Sequence, residues 1–237
     1  MNEPDEKNNI EFNAYKNNYS EQISEAISFT GQSHDYFTKV KADNLLNVIK
    51  KEFDSSKELA VLDIGCGHGL MHPFLLSNER IKLNGIDMAD EVIEIAKKNN
   101  PLVNYDCYDG IKLPYDSGSF DMAYAICVMH HVPPVQWVDF LKEMKRVVKK
   151  GGLVVIFEHN PLNPVTCHIV NKCPLDENAV LLSNRKMKSL FKECGYEQIR
   201  SNYILFVPIN LNIFRLLDKI LAPIPMGAQY FTCGKVL

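Results

Sequence analysis

LAVLDIGCGHGL, residues 59–70, is the stretch on which the fold turns. Leu59 to Ile64 form a short aliphatic run interrupted only by Asp63, the composition of a strand buried on both faces. The run ends in Gly65, Gly67 and Gly69, the residue type that a tight strand-to-helix turn needs when a ligand must approach the main chain closely. Comparable runs follow at IKLNGID (81–87), LVNYDC (102–107), FDMAYAIC (120–127) and LVVIFE (153–158), with helical patterns between the first three and before the last. This alternation predicts crossover units that build an α/β, doubly wound, mostly parallel sheet with helices on both faces.

Working outward, Trp137, Leu141, Met144 and Val148 repeat at helical spacing, which predicts a helix from Pro133 to Lys150 closed by Gly151 and Gly152. Its cluster of Lys142, Lys145, Arg146, Lys149 and Lys150 reads as a solvated face that complements the helix dipole. A second helix is expected over Asp90–Asn99, acidic at its start and basic at its end, and an amphipathic one over 33–53. Residues 159–182 read as a proline-punctuated loop, followed by a helix capped by Ser183 and two β-like runs, 198–207 and 228–236, around an apolar insert at 211–221. The organisation expected is a helical arm or lid over 1–56, then one domain over 57–237 with substrate-side insertions at 159–182 and 208–227.

Composition narrows the function. With 237 residues, 46% of them hydrophobic, the chain can bury a full core, and its net charge of -3 is no electrostatic footprint for nucleic acid. Residues 1–30 hold six acids against two lysines, which leaves a body close to neutral. Seven scattered cysteines without a C-x-x-C pair suggest reduced thiols in a cytoplasmic protein. The start of the sequence lacks the pattern of a secretory signal, and polar residues interrupt the apolar region 203–226, so no transmembrane helix is expected.

In a dinucleotide fingerprint the third glycine would come one residue later, where Leu70 stands, which disfavours a nicotinamide oxidoreductase. Asp87 ends the second strand, where a carboxylate either accepts both ribose hydroxyls of an adenosine or caps the next helix. Asp109 and Gly110 open YDGIKLPYDSGSFDMAY, 108–124, and by themselves read as an ordinary turn. Together these segments resemble the class I S-adenosylmethionine-dependent methyltransferases. Asp63-x-Gly65-x-Gly67-x-Gly69 is similar to the family's nucleotide loop, and Asp109 with Leu113, Pro114 and Tyr115 to its Asp-x-x-x-Leu-Pro-aromatic segment. The resemblance covers about residues 59–160. It implies a Rossmann-like seven-stranded sheet with an antiparallel last strand and S-adenosylmethionine as cofactor. The residues implied around that cofactor are Asp63, Gly65, Cys66, Gly67, Gly69, Asp87, Met88, Asp109, Gly110 and Ile126, with Asp109 at the adenine amino group.

The implied chemistry is in-line attack on a sulfonium methyl, which mainly demands alignment and exclusion of water and requires no metal. An oxygen acceptor would benefit from a general base, and His130, His131 and His159 follow strands whose carboxyl ends face the site in open α/β sheets. His159 leads, because Glu158 and Asn160 beside it could orient a bound group, although all three histidines also suit loop packing. Tyr15 and Tyr19 on the arm offer flat faces for closing over the site. The acceptor expected is a small molecule, lipid-linked or sugar-type, methylated at oxygen. Nucleic acid is not expected, since CVMH stands where amino-methylating members carry Asn-Pro-Pro-aromatic. The alternatives are a noncatalytic S-adenosylmethionine-binding protein and an NAD(P)-dependent oxidoreductase. For residues 211–222, core or lid ranks ahead of a dimer contact and of membrane-surface contact; these patterns do not set the oligomeric state.

Overall fold

The structure, a computed structural model, describes residues 31–206 and 220–237. Tyr15, Tyr19 and most of the insert at 211–222 lie outside the described residues. Helix α1 (His34–Glu52) starts on Ser33, whose hydroxyl accepts from the Tyr36 N–H. Then come β1 (Leu59–Ile64), α2 (His72–Leu76), β2 (Ile81–Asp87), α3 (Asp90–Asn99), β3 (Asn104–Cys107) and β4 (Phe120–Ile126). Helix α4 (Trp137–Val147), β5 (Val148–His159), α5 (Pro164–Lys172), α6 (Asn184–Glu193), β6 (Glu197–Ile204) and β7 (Gln229–Lys235) complete the described elements.

The strands form one seven-stranded sheet in the order β3-β2-β1-β4-β5-β7-β6. The first five are parallel, and β7 runs antiparallel to both β5 and β6. Alternate residues of one strand serve opposite cores. Val61, Met122, Val155 and Phe157 pack with Leu45 and Ile49 of α1 and Leu75 of α2, whereas Leu62, Ala123 and Ile156 pack with Leu141 and Met144 of α4 and Phe191 of α6. Leu45 and Ile49 are fully buried, each worth about 1.5–3 kcal/mol of burial, so α1 belongs to the main core.

Two expected elements differ. The helix expected over Pro133–Lys150 is a 3-10 turn at Pro134–Gln136 followed by α4, which ends at Val147, and Gly151 and Gly152 lie inside β5 rather than after a helix. Pairing with β4 slips register there, and a side chain on Gly152 would meet the Asp121 carbonyl at 2.6 Å. The basic cluster is partly structural: Lys145 donates to the carbonyls of Cys194 and Gly195, Arg146 to Glu143, Leu113 and Tyr115, and Lys149 to Asp121. The stretch expected as a loop, 159–182, contains α5. Asn163 caps that helix by accepting from Val165 and Thr166, and Pro164 occupies its first turn.

Candidate functional site

A buried relay supports the glycine turn from below. Asp63 accepts at 2.9 Å from Nε2 of His72, and Nδ1 of His72 lies 2.5 Å from the Tyr105 hydroxyl. Asn99 and Asn100 donate to the carbonyls of His68 and Gly69. Asp63 and His72 are buried, so this carboxylate acts through the loop it underlies. His72→Ala would strand the Asp63 carboxylate and the Tyr105 hydroxyl in the core at a cost of about 3 kcal/mol. For a chain of this size that corresponds to a fall of roughly 6–12 °C in Tm, measurable by calorimetry.

Above the relay, Gly65, Gly67 and Gly69 all have positive φ (72°, 52° and 68°), the region where only glycine is unstrained. Their surroundings differ. A side chain on Gly65 would overlap Val128, and one on Gly69 would meet Tyr105 and Asn100, whereas Gly67 faces open space. Gly65 therefore ties the turn after β1 to the segment after β4, and Gly67 presents its bare main chain to a void. A nucleotide fits that combination. The neighbouring Cys66 thiol is buried, and burial together with the Asp63 charge pushes its pKa up.

Asp87 at the end of β2 accepts from the Gly67 N–H at 2.9 Å and from the Ala89 N–H at 3.1 Å. Burial raises its pKa, against those N–H groups, which favour the ionised form. The carboxylate thus shapes the loop and starts α3 in addition to any ligand it holds. Asp87→Ala should weaken S-adenosylmethionine binding by roughly 1.5–3 kcal/mol in isothermal titration. Equal losses for S-adenosylhomocysteine and for an analogue lacking ribose hydroxyls would leave Asp87 as loop support only.

Asp109 is exposed, and its Oδ1 accepts from the N–H groups of Ile111 and Lys112, both at 2.9 Å, which lowers its pKa. Gly110, at φ 80°, packs against the Met88 side chain, so the ends of β2 and β3 close on each other. A shallow apolar dimple lies beside them, lined by Ile64, Tyr108, Ile111 and Leu113 and by Phe140 and Met144 of α4. Ile126 closes β4, level with Phe157 of β5.

The three histidines meet at the ends of β4 and β5. His130 and His131 ring centroids are 4.1 Å apart, and His130 and His159 5.3 Å. Glu158 pairs with His130, its Oε2 lying 2.6 Å from Nδ1 and its Oε1 accepting the His130 N–H. His159 instead lies beside Gln229, Nε2 to Nδ1 3.3 Å. Asn160 is fully buried; its amide donates to the Pro225 and Gly227 carbonyls and its Oδ1 accepts from Leu162, so it braces the loop after β5. Asp176, which sequence reasoning missed, completes the group: its Oδ1 is 3.3 Å from His130 Nε2 and 3.5 Å from His131 Nε2. The His130 carbonyl holds this segment in place by accepting from the Val180 N–H.

The charges sort by environment. Burial alone would depress the pKa of His130, but the charge and hydrogen bond of Glu158, with the Asp176 carboxylate close by, outweigh it and raise the value. Burial, with the charge on His130 added, lowers His131 and His159 to about 4, so both are neutral at physiological pH. Glu158 is buried and Asp176 half-buried, yet the His130 charge keeps their pKa values low.

A family model described as a methyltransferase domain matches residues 62–156. The chain is 29% identical over 139 residues to a ubiquinone biosynthesis O-methyltransferase of Coxiella burnetii, a match covering 54% of this chain and 58% of that protein. It is 33% identical over 97 residues to the tRNA (carboxymethyluridine(34)-5-O)-methyltransferase of Saccharomyces cerevisiae, covering 40% of this chain and 34% of that protein. The chain therefore spans little more than half the length of the first relative and about a third of the second. In fold it is similar to a structure described as a SAM-dependent methyltransferase, possible histamine N-methyltransferase, of Thermotoga maritima, with a TM-score of 0.68, 21% identity and coverage of 96% and 99% of the two chains. The mostly parallel seven-stranded sheet with its antiparallel last strand, the glycine turn open at Gly67 and the methyltransferase-domain match over residues 62–156 all agree with the resemblance to class I S-adenosylmethionine-dependent methyltransferases.

Proposed function

We propose that the chain transfers the methyl group of S-adenosylmethionine to a hydroxyl oxygen of a small, partly apolar acceptor, with His159 taking the proton. The observation that carries this reading is the histidine cluster one strand over from the glycine turn, linked to it through the contact of Gly65 with Val128. The adenosyl group lies over Gly67, with Asp87 at the ribose and Asp109 at the adenine amino group. The sulfonium methyl then points toward the ends of β4 and β5. The acceptor oxygen attacks the methyl carbon as the carbon–sulfur bond breaks, sulfur keeps the electron pair and becomes neutral, and the hydroxyl proton passes to His159. A neutral imidazole is the protonation state a base must have.

A small acceptor is favoured over RNA by charge. The net charge is -3, and Lys145, Arg146 and Lys149, which could form a basic face, are engaged with carbonyls and carboxylates of the chain itself. Similarity to the tRNA enzyme extends over only 97 residues. The residues that cover the acceptor belong, in this reading, to the arm with Tyr15 and Tyr19 and to 159–182. Release of S-adenosylhomocysteine in the presence of quinol, phenol, sterol or sugar hydroxyls tests the proposal. Stoichiometric binding of S-adenosylmethionine without turnover on any hydroxyl acceptor would favour a noncatalytic binding protein.

A further inference from the structure

Asp176 brings one carboxylate oxygen up to the Nε2 atoms of both paired histidines. The Nδ1 of His130 faces Glu158 at 2.6 Å, so the other nitrogen, Nε2, points at Asp176. That Nε2 is buried, and although Asp176 Oδ1 stands 3.3 Å away, the N–H is not aligned with it for a hydrogen bond. The His131 Nε2 lies 3.5 Å from the same oxygen, and the donor atoms of the three residues all fall within 4.8 Å of one another. Tetrahedral zinc with bonds of about 2.0–2.1 Å sets neighbouring donor atoms about 3.3–3.4 Å apart. The two separations to Asp176 Oδ1 match that spacing.

We propose that His130 Nε2, His131 Nε2 and Asp176 Oδ1 form a three-donor site for a divalent cation of the zinc type, with its fourth position open to the methyl acceptor. Two imidazoles and one carboxylate are the donor set that borderline divalent ions take when they keep an open position. Glu158 plays the outer part: a buried carboxylate on the far nitrogen of a ligating imidazole fixes the ring and its tautomer. Access exists, since the side chains of His131 and Asp176 retain 22% and 13% exposure while His130 is buried.

The role of the ion rests on the proposed transfer to oxygen; its binding does not. An acceptor hydroxyl on the fourth position becomes more acidic and gives its proton to His159. The metal-held oxygen forms the bond to the methyl carbon, and the carbon–sulfur pair returns to sulfur.

Zinc titration of tag-free chain by calorimetry, with S-adenosylhomocysteine titrated into the same samples, tests the site. One zinc per chain is expected. Asp176→Asn and His131→Ala should each weaken it at least about tenfold, Glu158→Gln about 10–100-fold, and S-adenosylhomocysteine affinity should hold in all three. Cobalt(II) substituted into the wild-type chain should show a tetrahedral d–d spectrum without the near-ultraviolet thiolate band that the free cysteines would produce. No zinc binding by wild type, a thiolate band, or affinity indifferent to both Asp176→Asn and His131→Ala would overturn the proposal. Zinc binding in a chain that ignores S-adenosylhomocysteine would sink the methyltransferase reading and leave the metal site standing. If Asp176→Asn fails to fold, the partly exposed His131→Ala and the wild-type cobalt spectrum decide.

Discussion

Gly67→Val is expected to abolish S-adenosylmethionine binding, by at least about 100-fold, in a chain that still unfolds cooperatively, because the branched side chain enters the space of the ligand and no other. A β-carbon at Gly67 meets no protein atom within 4 Å, so the fold itself has room for it. The position has a φ of 52°, and a branched residue held there costs on the order of 1–3 kcal/mol, a loss of stability the core can absorb. Gly65→Ala is the informative companion, since its methyl would overlap Val128 and the whole turn would have to move. Calorimetry on both variants separates ligand space from fold space: Gly67→Val loses affinity with a modest fall in Tm, and Gly65→Ala loses Tm first. Wild-type affinity in Gly67→Val would remove this glycine from the site.

Replacing His159 by Gln should lower kcat by about 10²–10⁴ while leaving the affinity for S-adenosylmethionine unchanged, as expected when a proton acceptor is removed and the binding surface is not. Glutamine preserves the approximate volume and a polar contact to Gln229, so packing around β7 should persist. The measurement is steady-state turnover on an active hydroxyl acceptor beside calorimetric titration of the cofactor. A change below about threefold in kcat would identify His159 as a packing residue and shift the proton to solvent.

The sheet and the turn were legible because their signals are local. Leu59–Ile64 and the glycines after them lie within a dozen residues, and a strand buried on both faces cannot be other than an aliphatic run. The Val148–Lys150 segment misread as helix because Val148 continues the helical spacing of α4; only pairing with β4, from a distant part of the chain, turns it into strand. Helix α5 did carry a local mark in Asn163-Pro164, an N-cap followed by a proline in the first turn, which the surrounding prolines masked. The site of His130, His131 and Asp176 was illegible for another reason. Its donors come from the segments after β4 and before α6, and Glu158 pairs with His130 across adjacent strands rather than with its chain neighbour His159. The sequence reading had Glu158 orienting a bound group beside His159, whereas alternation along β5, which sends neighbouring residues to opposite sides, turns its carboxylate to His130.

The place of β7 has a consequence for synthesis. It follows β6 in the chain yet pairs between β5 and β6, so β6 has no strand to join until residues 229–235 arrive. A nascent chain that has emerged only as far as residue 206 presents the free edge of β5, with Val155, Ile156 and Phe157 along it, as a template for any other strand. Ribosome stalling or proteolysis between 206 and 229 should therefore yield not a smaller stable domain but a species that aggregates or is held by chaperones until the last strand closes the sheet.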